Sequence, residues 1–274
     1  MSKPLGLYVH LPFCRRKCAY CDFPSHPGRL EAREAYTDRV CGEIAARSEE
    51  WGRLEADTVY LGGGTPSVME PSQIVRILRR LGQCFRIRAD AEISCEVNPG
   101  TLRAGFLETL RENGVSRLSV GAQSADEAEL RLLGRIHSWE QAEETVRRAR
   151  KAGFSDISLD LMSALPGQTW DRLKISLQKS LALGVTHLSV YSLIIEEGTP
   201  FHRRHLKGEL ALPGEEAERE MYWNTAELLD EAGFEHYEIS SFARPGFRCR
   251  HNENCWNHQE YLGFGASAAG FFRN

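Results

Sequence analysis

The sequence has no long hydrophobic run and little excess of charge of either sign. Its 274 residues are 42% hydrophobic and 26% charged, and no apolar stretch approaches the roughly eighteen residues that a membrane span needs. A net charge of -4 gives no general attraction to nucleic acid. Eight cysteines are few for a disulfide scaffold, and no secretory signal pattern is present. These absences predict a cytoplasmic protein with one large domain, or one domain and the start of another.

Three of the cysteines stand close together near the N-terminus. Cys14, Cys18 and Cys21 form the run Cys-Arg-Arg-Lys-Cys-Ala-Tyr-Cys. Three soft thiolates on one loop can bind an iron-sulfur cluster. A four-iron cluster with three protein ligands has one iron left open, and an open iron can chelate a small molecule. The spacing therefore favours cofactor chemistry over a closed structural site.

Two other uses of these cysteines stay open at this point. Disulfides suit short secreted chains better than a chain of this length. Structural zinc normally takes four ligands arranged as two close pairs. The chain has no second Cys-x-x-Cys pair, although Cys249, His251 and Cys255 lie close together in sequence.

Glycine recurs four times between a charged helical stretch and a short apolar strand. The four residues are Gly114, Gly153, Gly184 and Gly233. Each is predicted to end a helix, because glycine adopts the left-handed conformation without steric cost. The run Ser138-Trp-Glu-Gln141 predicts a capping box that opens one of these helices.

The alternation of strands and helices predicts an α/β fold. Earlier strands are expected at residues 5–10, 58–62 and 92–97, each followed by a helical pattern. At least six strand-helix units are complete by Tyr191, which implies a parallel sheet that forms a full or partial barrel. In such barrels the chemistry collects at the carboxyl ends of the strands.

Polar residues at the predicted strand ends are the candidate ligand contacts. The run Gly62-Gly63-Gly64-Thr65-Pro66 follows an apolar strand, and its missing side chains allow a ligand to approach the backbone. It matches neither a phosphate loop nor a dinucleotide fingerprint. Glu96 can accept hydrogen bonds from an ammonium group, Asp160 from ribose hydroxyls, and Arg135 can pair with a carboxylate. Taken singly, the glycine run is an ordinary turn, and Glu96, Asp160 and Arg135 are capping or surface residues. Together with Gln123, however, they are predicted to lie at one edge of the sheet.

These residues resemble the radical S-adenosylmethionine (SAM) enzymes related to oxygen-independent coproporphyrinogen III oxidase. The resemblance covers nearly the whole chain, and it is strongest to the HemW-type haem chaperones. The runs that carry it are residues 8–14, 18–23, 62–67, 96–101, 121–124, 133–135, 160–162 and 165–169.

The resemblance implies a partial (β/α)6 barrel of the radical SAM kind with parallel strands. It implies a 4Fe-4S cluster on Cys14, Cys18 and Cys21, with SAM chelated to the open iron. In this family the reduced cluster releases a 5'-deoxyadenosyl radical from SAM. The positions implied as SAM contacts are Tyr8, Tyr20, Gly63, Gly64, Thr65, Glu96, Gln123, Arg135 and Asp160.

The resemblance leaves two functions open. One is a haem chaperone that binds haem and transfers it to acceptor proteins. The other is an oxidase that decarboxylates the propionates of coproporphyrinogen III in porphyrin biosynthesis. Phe23 stands where the oxidases have a further cysteine, and the strand bearing Tyr8 begins without their longer leader segment, which favours the chaperone. An electron donor such as flavodoxin or ferredoxin is an expected partner.

A second motif also resembles the chaperones. Residues 249–256 are similar to their His-Asn-x-x-Tyr-Trp haem motif, which makes His251 a candidate haem ligand. Cys255 replaces the motif's tyrosine, and Ala269 stands where many relatives have histidine. The alternative is that His251 and Asn252 only hold a polar loop in place.

The chain is expected to divide near residue 195. Residues 1–195 are predicted to form the barrel core, and residues 196–274 a connector with an incomplete C-terminal region that contains the haem-like motif. The resemblance implies a further C-terminal domain of about a hundred residues, a size that is ordinary for one domain.

Overall fold

The computed structural model describes residues 5–27 and 29–273. In that part of the chain the strands are β1 (Leu5–Leu11), β2 (Phe13–Cys14), β3 (His26–Pro27), β4 (Glu55–Gly63), β5 (Arg86–Val97), β6 (Arg117–Gln123), β7 (Asp156–Ser163), β8 (His187–Ser192), β9 (Glu235–Glu238), β10 (Ser241–Ala243) and β11 (Glu260–Phe264). The helices are α1 (Arg33–Trp51), α2 (Pro71–Cys84), α3 (Phe106–Glu112), α4 (Glu127–Leu133), α5 (Trp139–Lys151), α6 (Trp170–Ala182), α7 (Pro200–Leu206), α8 (Glu215–Glu231) and α9 (Arg250–Trp256).

Six strands form a parallel sheet in which neighbours in sequence are neighbours in space. Their order is β1-β4-β5-β6-β7-β8, and each adjacent pair is parallel. At least one helix lies between each strand and the next. The predicted α/β fold with parallel strands is confirmed, and the strands expected at residues 5–10, 58–62 and 92–97 lie within β1, β4 and β5.

The predicted helix ends are also confirmed. Gly114, Gly153, Gly184 and Gly233 have φ angles of 89°, 91°, 65° and 81°, in the left-handed region where a β-carbon is unfavourable. Each glycine therefore turns the chain from a helix toward the next strand. The Ser138 hydroxyl accepts a hydrogen bond from the Gln141 backbone, and the Gln141 side chain accepts one from the Ser138 backbone, which completes the capping box.

The segment expected to be a connector and C-terminal region contributes strands to the same sheet. After β8, the chain forms α7 and α8 and then a hairpin in which β10 pairs antiparallel with both β8 and β9. The fourth glycine unit therefore ends in an edge strand of this hairpin. Further on, β11 pairs parallel with the free edge of β1. Residues 196–273 thus extend the sheet at both edges, because hydrogen-bonding positions were open there.

The helices pack their apolar faces against the outer side of the sheet. In α2, for example, Ile74, Ile77 and Leu81 are buried one helical turn apart. They join a hydrophobic cluster with sheet residues such as Val59 and Leu61. Across the described ranges, no helix has the length and apolar character that crossing a bilayer requires.

The inner face of the sheet is polar. In β6, Leu118 and Val120 belong to the hydrophobic cluster, whereas the alternate residues Arg117 and Ser119 line an internal cavity. Barrels filled by side chains instead carry mainly branched aliphatic residues inside. Alternation in these parallel strands therefore separates an aliphatic outer layer from a hollow polar interior.

Candidate functional site

A cavity of about 460 Å³ lies inside the sheet and opens at the carboxyl ends of the parallel strands. Cys14, Cys18 and Cys21 all line it. The structure also brings most of the predicted SAM contacts to its wall, namely Tyr20, Gly63, Gly64, Thr65, Glu96, Gln123, Arg135 and Asp160. Tyr8 and His251 are not among its lining residues. One cavity therefore collects side chains that are more than a hundred residues apart in sequence.

The loop that carries the cysteines is fixed by backbone hydrogen bonds to distant helices. The Ala19 N–H donates to the Leu133 carbonyl at the end of α4 (2.9 Å), and the Ala19 carbonyl accepts from Phe201 in α7 (2.9 Å). Ala19 and Tyr20 also pack against a small apolar cluster that contains the fully buried Phe201. The middle of the loop is thus held between α4 and α7, with Cys18 and Cys21 on either side of the contact.

Tyr8 contacts the loop indirectly. The His10 Nε2 atom donates to the Pro24 carbonyl (2.9 Å), because a carbonyl oxygen can only accept. His10 Nδ1 is then the acceptor for the Tyr8 hydroxyl (2.9 Å). Tyr8 and His10 therefore attach the far side of the cysteine loop to β1.

The three thiols lie in a partly buried environment with different neighbours. The Cys14 sulfur is 3.4 Å from the Thr65 hydroxyl, and the Cys18 sulfur is 3.5 Å from Arg135 Nη1. Burial raises the pKa of Cys14, and it raises the pKa of Cys21 to about 11. A cysteine thiol must lose its proton before it can bind a metal.

The described part of the chain contains no group of three His, Cys, Asp or Glu side chains that converge on one metal-ion position. In a four-iron cluster with three cysteine ligands, each cysteine binds a different iron. Cys14, Cys18 and Cys21 line one cavity, as such a cluster requires.

The glycine run owes its composition to contacts within the protein. A β-carbon on Gly64 would lie 2.8 Å from backbone atoms of Leu11 and Phe13. Gly63 has a φ of 108°, and a β-carbon there would lie 2.4 Å from the His10 ring. The Gly64 N–H donates to the Leu11 carbonyl (3.0 Å). The run therefore packs directly against the backbone that leads into the cysteine loop.

Glu96 and Asp160 are buried carboxyls on the same cavity wall. Glu96 accepts hydrogen bonds from the Tyr60 hydroxyl and the Gly63 N–H, both at 3.1 Å. Burial, and then repulsion from Asp160, raise the pKa of Glu96 to about 7. Burial also raises the pKa of Asp160, which accepts from the Ser119 hydroxyl at 2.8 and 3.0 Å. A ligand with a positive charge or with several hydroxyls would satisfy this pair.

Arg135 lies beside the cysteines and has donor capacity to spare. Its Nη2 atom donates to the Asn98 side chain and to the Gly121 carbonyl, both at 2.7 Å. Its Nε atom is buried and has no hydrogen-bond partner among the described residues. Nearby Gln123 has a φ of 68° at an irregularity between β6 and β7. The left-handed backbone and the unpaired donor are typical of a site built for a ligand.

His251 lies in α9 and does not line the cavity. Its ring is 4% exposed and stacks on Tyr60 at a centroid distance of 5.2 Å, with Tyr8 at 6.4 Å. Its Nδ1 atom is 2.9 Å from the Thr58 hydroxyl, and burial lowers its pKa to about 4. The neighbouring Asn252 does line the cavity. The haem-ligand assignment of His251 stays a prediction, which this enclosed geometry does not favour.

Several cavity residues were not expected from the sequence. Arg117 is 2% exposed, and its Nε atom has no hydrogen-bond partner within the described ranges. Glu92, which does not line the cavity, accepts from the backbone N–H groups of Arg250 and His251, and so caps α9 from the sheet. The sequence signal for the cavity residues on these strands was the alternation of polar and apolar residues along β6, β7 and β8.

Comparison with known proteins agrees with this geometry. The family model of the radical SAM superfamily matches residues 8–179. The heme chaperone HemW of Lactococcus lactis is 38% identical over 99% of this chain and 70% of its own length, and that of Escherichia coli is 36% identical over 97% and 70%.

A solved structure is similar as well. The coproporphyrinogen III oxidase HemN from Escherichia coli, described as a radical SAM enzyme, superposes with a TM-score of 0.86 at 28% identity. The match covers 98% of this chain and 65% of the HemN chain. The chain thus spans about two thirds of the proteins that it resembles. By these matches, the chain belongs to the radical SAM superfamily and, within it, to the family of the HemW proteins.

Proposed function

We propose that this protein binds a 4Fe-4S cluster and SAM and acts as a haem chaperone. The observation that carries the proposal is the meeting of Cys14, Cys18 and Cys21 with Glu96 and Arg135 on one cavity. Three proteins that are 36–38% identical to this chain are named heme chaperones. HemN is the alternative model, at a lower identity of 28%.

The cysteines would hold the cluster, which would supply an open iron for SAM and a source of single electrons. Arg135, with its unpaired Nε atom, would bind the SAM carboxylate. Glu96 would accept from the amino group, and Asp160 from the ribose hydroxyls. Thr65, Gly63 and Gly64 would shape the wall at the backbone.

The remaining contacts would act on the edges of this site. Tyr20 and Gln123 line the cavity and would contact SAM directly. Tyr8 would act through His10, since its hydroxyl is engaged there. A reductant such as flavodoxin or ferredoxin, an acceptor protein for haem and a cytoplasmic location complete the proposal.

Anaerobic reconstitution with iron and sulfide tests the cluster. Cys18→Ala should lose the brown colour and SAM binding, while Cys41→Ala, in α1 and outside the cavity, should keep both. A Cys18→Ala protein that keeps its colour and binds SAM would contradict the cluster assignment.

The same preparation separates the two functions. The reconstituted protein should bind haem stoichiometrically and leave coproporphyrinogen III unchanged in the presence of SAM and a reductant. Formation of protoporphyrinogen with consumption of SAM would show an oxidase instead.

A further inference from the structure

Large apolar side chains are exposed at the mouth of the cavity. Phe23, Tyr191 and Ile194 are 63%, 45% and 67% exposed, and all three line the cavity. They are three of the ten large hydrophobic side chains that are exposed within the described residues. Exposed apolar groups gathered at the rim of a polar cavity mark a ligand surface. We name these three residues the mouth patch.

The mouth patch is built on two fixed pieces of backbone. Phe23 follows the last cysteine, and its carbonyl accepts a hydrogen bond from Lys17 Nζ (3.1 Å). Tyr191 belongs to β8, and the Leu193 N–H next to Ile194 donates to the Ser163 carbonyl (3.0 Å). The side chains are exposed although their backbone is held, so they form a surface without first having to be ordered.

Charged groups surround the mouth patch. Arg16 and Lys17 are adjacent, exposed and on the cavity rim, and the carboxylates Asp22 and Glu196 also lie there. The net charge of the rim is therefore zero. The two cations are consecutive in sequence, however, so one edge of the mouth offers paired cationic groups to a ligand with two carboxylates.

We propose that haem binds across the mouth of the cavity, with its ring on Phe23, Tyr191 and Ile194 and its propionates on Arg16 and Lys17. This inference rests on the proposed chaperone function and places the haem of that function. A planar apolar ring with two carboxylates on one edge matches an apolar patch with two cations beside it.

In this proposal the mouth patch recognises the porphyrin ring of haem and not its iron. His251 packs against Tyr8 and Tyr60, its Nδ1 atom is 2.9 Å from the Thr58 hydroxyl, and it does not line the cavity, so it is not placed to ligate iron at the mouth. Metal-free protoporphyrin IX should therefore bind with an affinity close to that of haem.

The test is titration of haem and of protoporphyrin IX into the reconstituted protein with SAM present. Phe23→Ala with Ile194→Ala should weaken both ligands at least tenfold, which corresponds to about 1.4 kcal/mol. The matched control is Trp223→Ala with Ile175→Ala, two exposed apolar residues outside the cavity, and it should bind as the wild type does. Arg16→Ser with Lys17→Ser should weaken both ligands as well. Ile194→Ala alone tests the patch without altering the cysteine loop, and cluster absorbance checks that every variant is loaded.

The outcomes separate this inference from the function on which it rests. Wild-type protein that binds no haem would overturn the proposed function. Wild-type binding that is unchanged in Ile194→Ala and in the double variant would overturn the mouth site alone. Binding of haem but not protoporphyrin IX, lost in His251→Ala, would place the haem on α9 and also overturn the mouth site.

Discussion

Replacing Glu96 by glutamine should change the pH dependence of folding. In the cofactor-free protein, burial, and then repulsion from Asp160, raise the pKa of Glu96 from 4.5 to about 7. The folded protein therefore keeps the proton over a range in which the unfolded chain has lost it. The contribution of Glu96 to stability is fully present below pH 4.5 and is lost as the pH rises to about 7. A glutamine stays neutral and does not show this loss.

The size of the effect follows from the shift. A change from 4.5 to about 7 corresponds to about 3 kcal/mol. About 2.5 kcal/mol of this falls between pH 5 and pH 8. Glu96 is partly buried and lines the cavity, so solvent screening makes this figure an upper value. The free energy of unfolding of Glu96→Gln minus that of wild type should therefore be up to about 2.5 kcal/mol higher at pH 8 than at pH 5, so that the variant is relatively more stable at the higher pH.

Urea denaturation followed by circular dichroism at the two pH values measures this difference. Asp160→Asn should reduce the pH dependence, because it removes a negative charge that raises the pKa of Glu96. Glu144→Gln, on the exposed side of α5, is the matched control and should stay within about 0.5 kcal/mol of wild type at both pH values. An equal effect of Glu96→Gln at pH 5 and pH 8 would refute the reasoning.

Three further predictions concern the packing around the cysteine loop. Gly64→Ala should lower the free energy of unfolding by about 1–3 kcal/mol in urea, because its β-carbon meets fixed backbone; Gly42→Ala, in α1 with open space around it, should raise that free energy by up to about 1 kcal/mol, and the reverse order would contradict the contact. Arg135→Met should cost about 2–4 kcal/mol in the same assay, since the acceptors of Asn98 and Gly121 lose their donor, whereas Arg147→Met on the surface should cost less than about 1 kcal/mol. His10→Leu should speed limited proteolysis within residues 15–27, because the link from Tyr8 to Pro24 is cut; cleavage at the wild-type rate would show that other contacts hold the loop.

The fold followed from the sequence because its signals are local. A glycine such as Gly153 ends a helix through its own backbone conformation, and the capping box at Ser138 closes within four residues. Polar and apolar residues alternate along β6, and this alternation in the sequence marks the polar inner face of the sheet. Buried parallel strands, however, usually show a continuous run of apolar residues, so the alternation was not interpreted in that way. For that reason Arg117 of β6 was not identified from the sequence as a cavity residue.

The site was predictable only in part. The cysteines and the strand-end residues Glu96 and Asp160 could be expected to meet, since carboxyl ends of parallel strands share one edge. The position of His251 could not, because it depends on Glu92 capping α9 and on packing against Tyr60. Likewise, the boundary expected near residue 195 did not reveal that β10 and β11 would join the sheet at its two edges.

By itself, the sequence determined the family, the alternation of strands and helices, and the cysteine loop, because each depends on residues close together in the chain. Tertiary structure alone decided that the Tyr8 hydroxyl bonds to His10, that His251 is buried, and that Phe23 and Ile194 line the same cavity. The physical reason is the same in each case. Burial, hydrogen-bond partners and pKa depend on which distant side chains the sheet places side by side, and no local pattern specifies those neighbours.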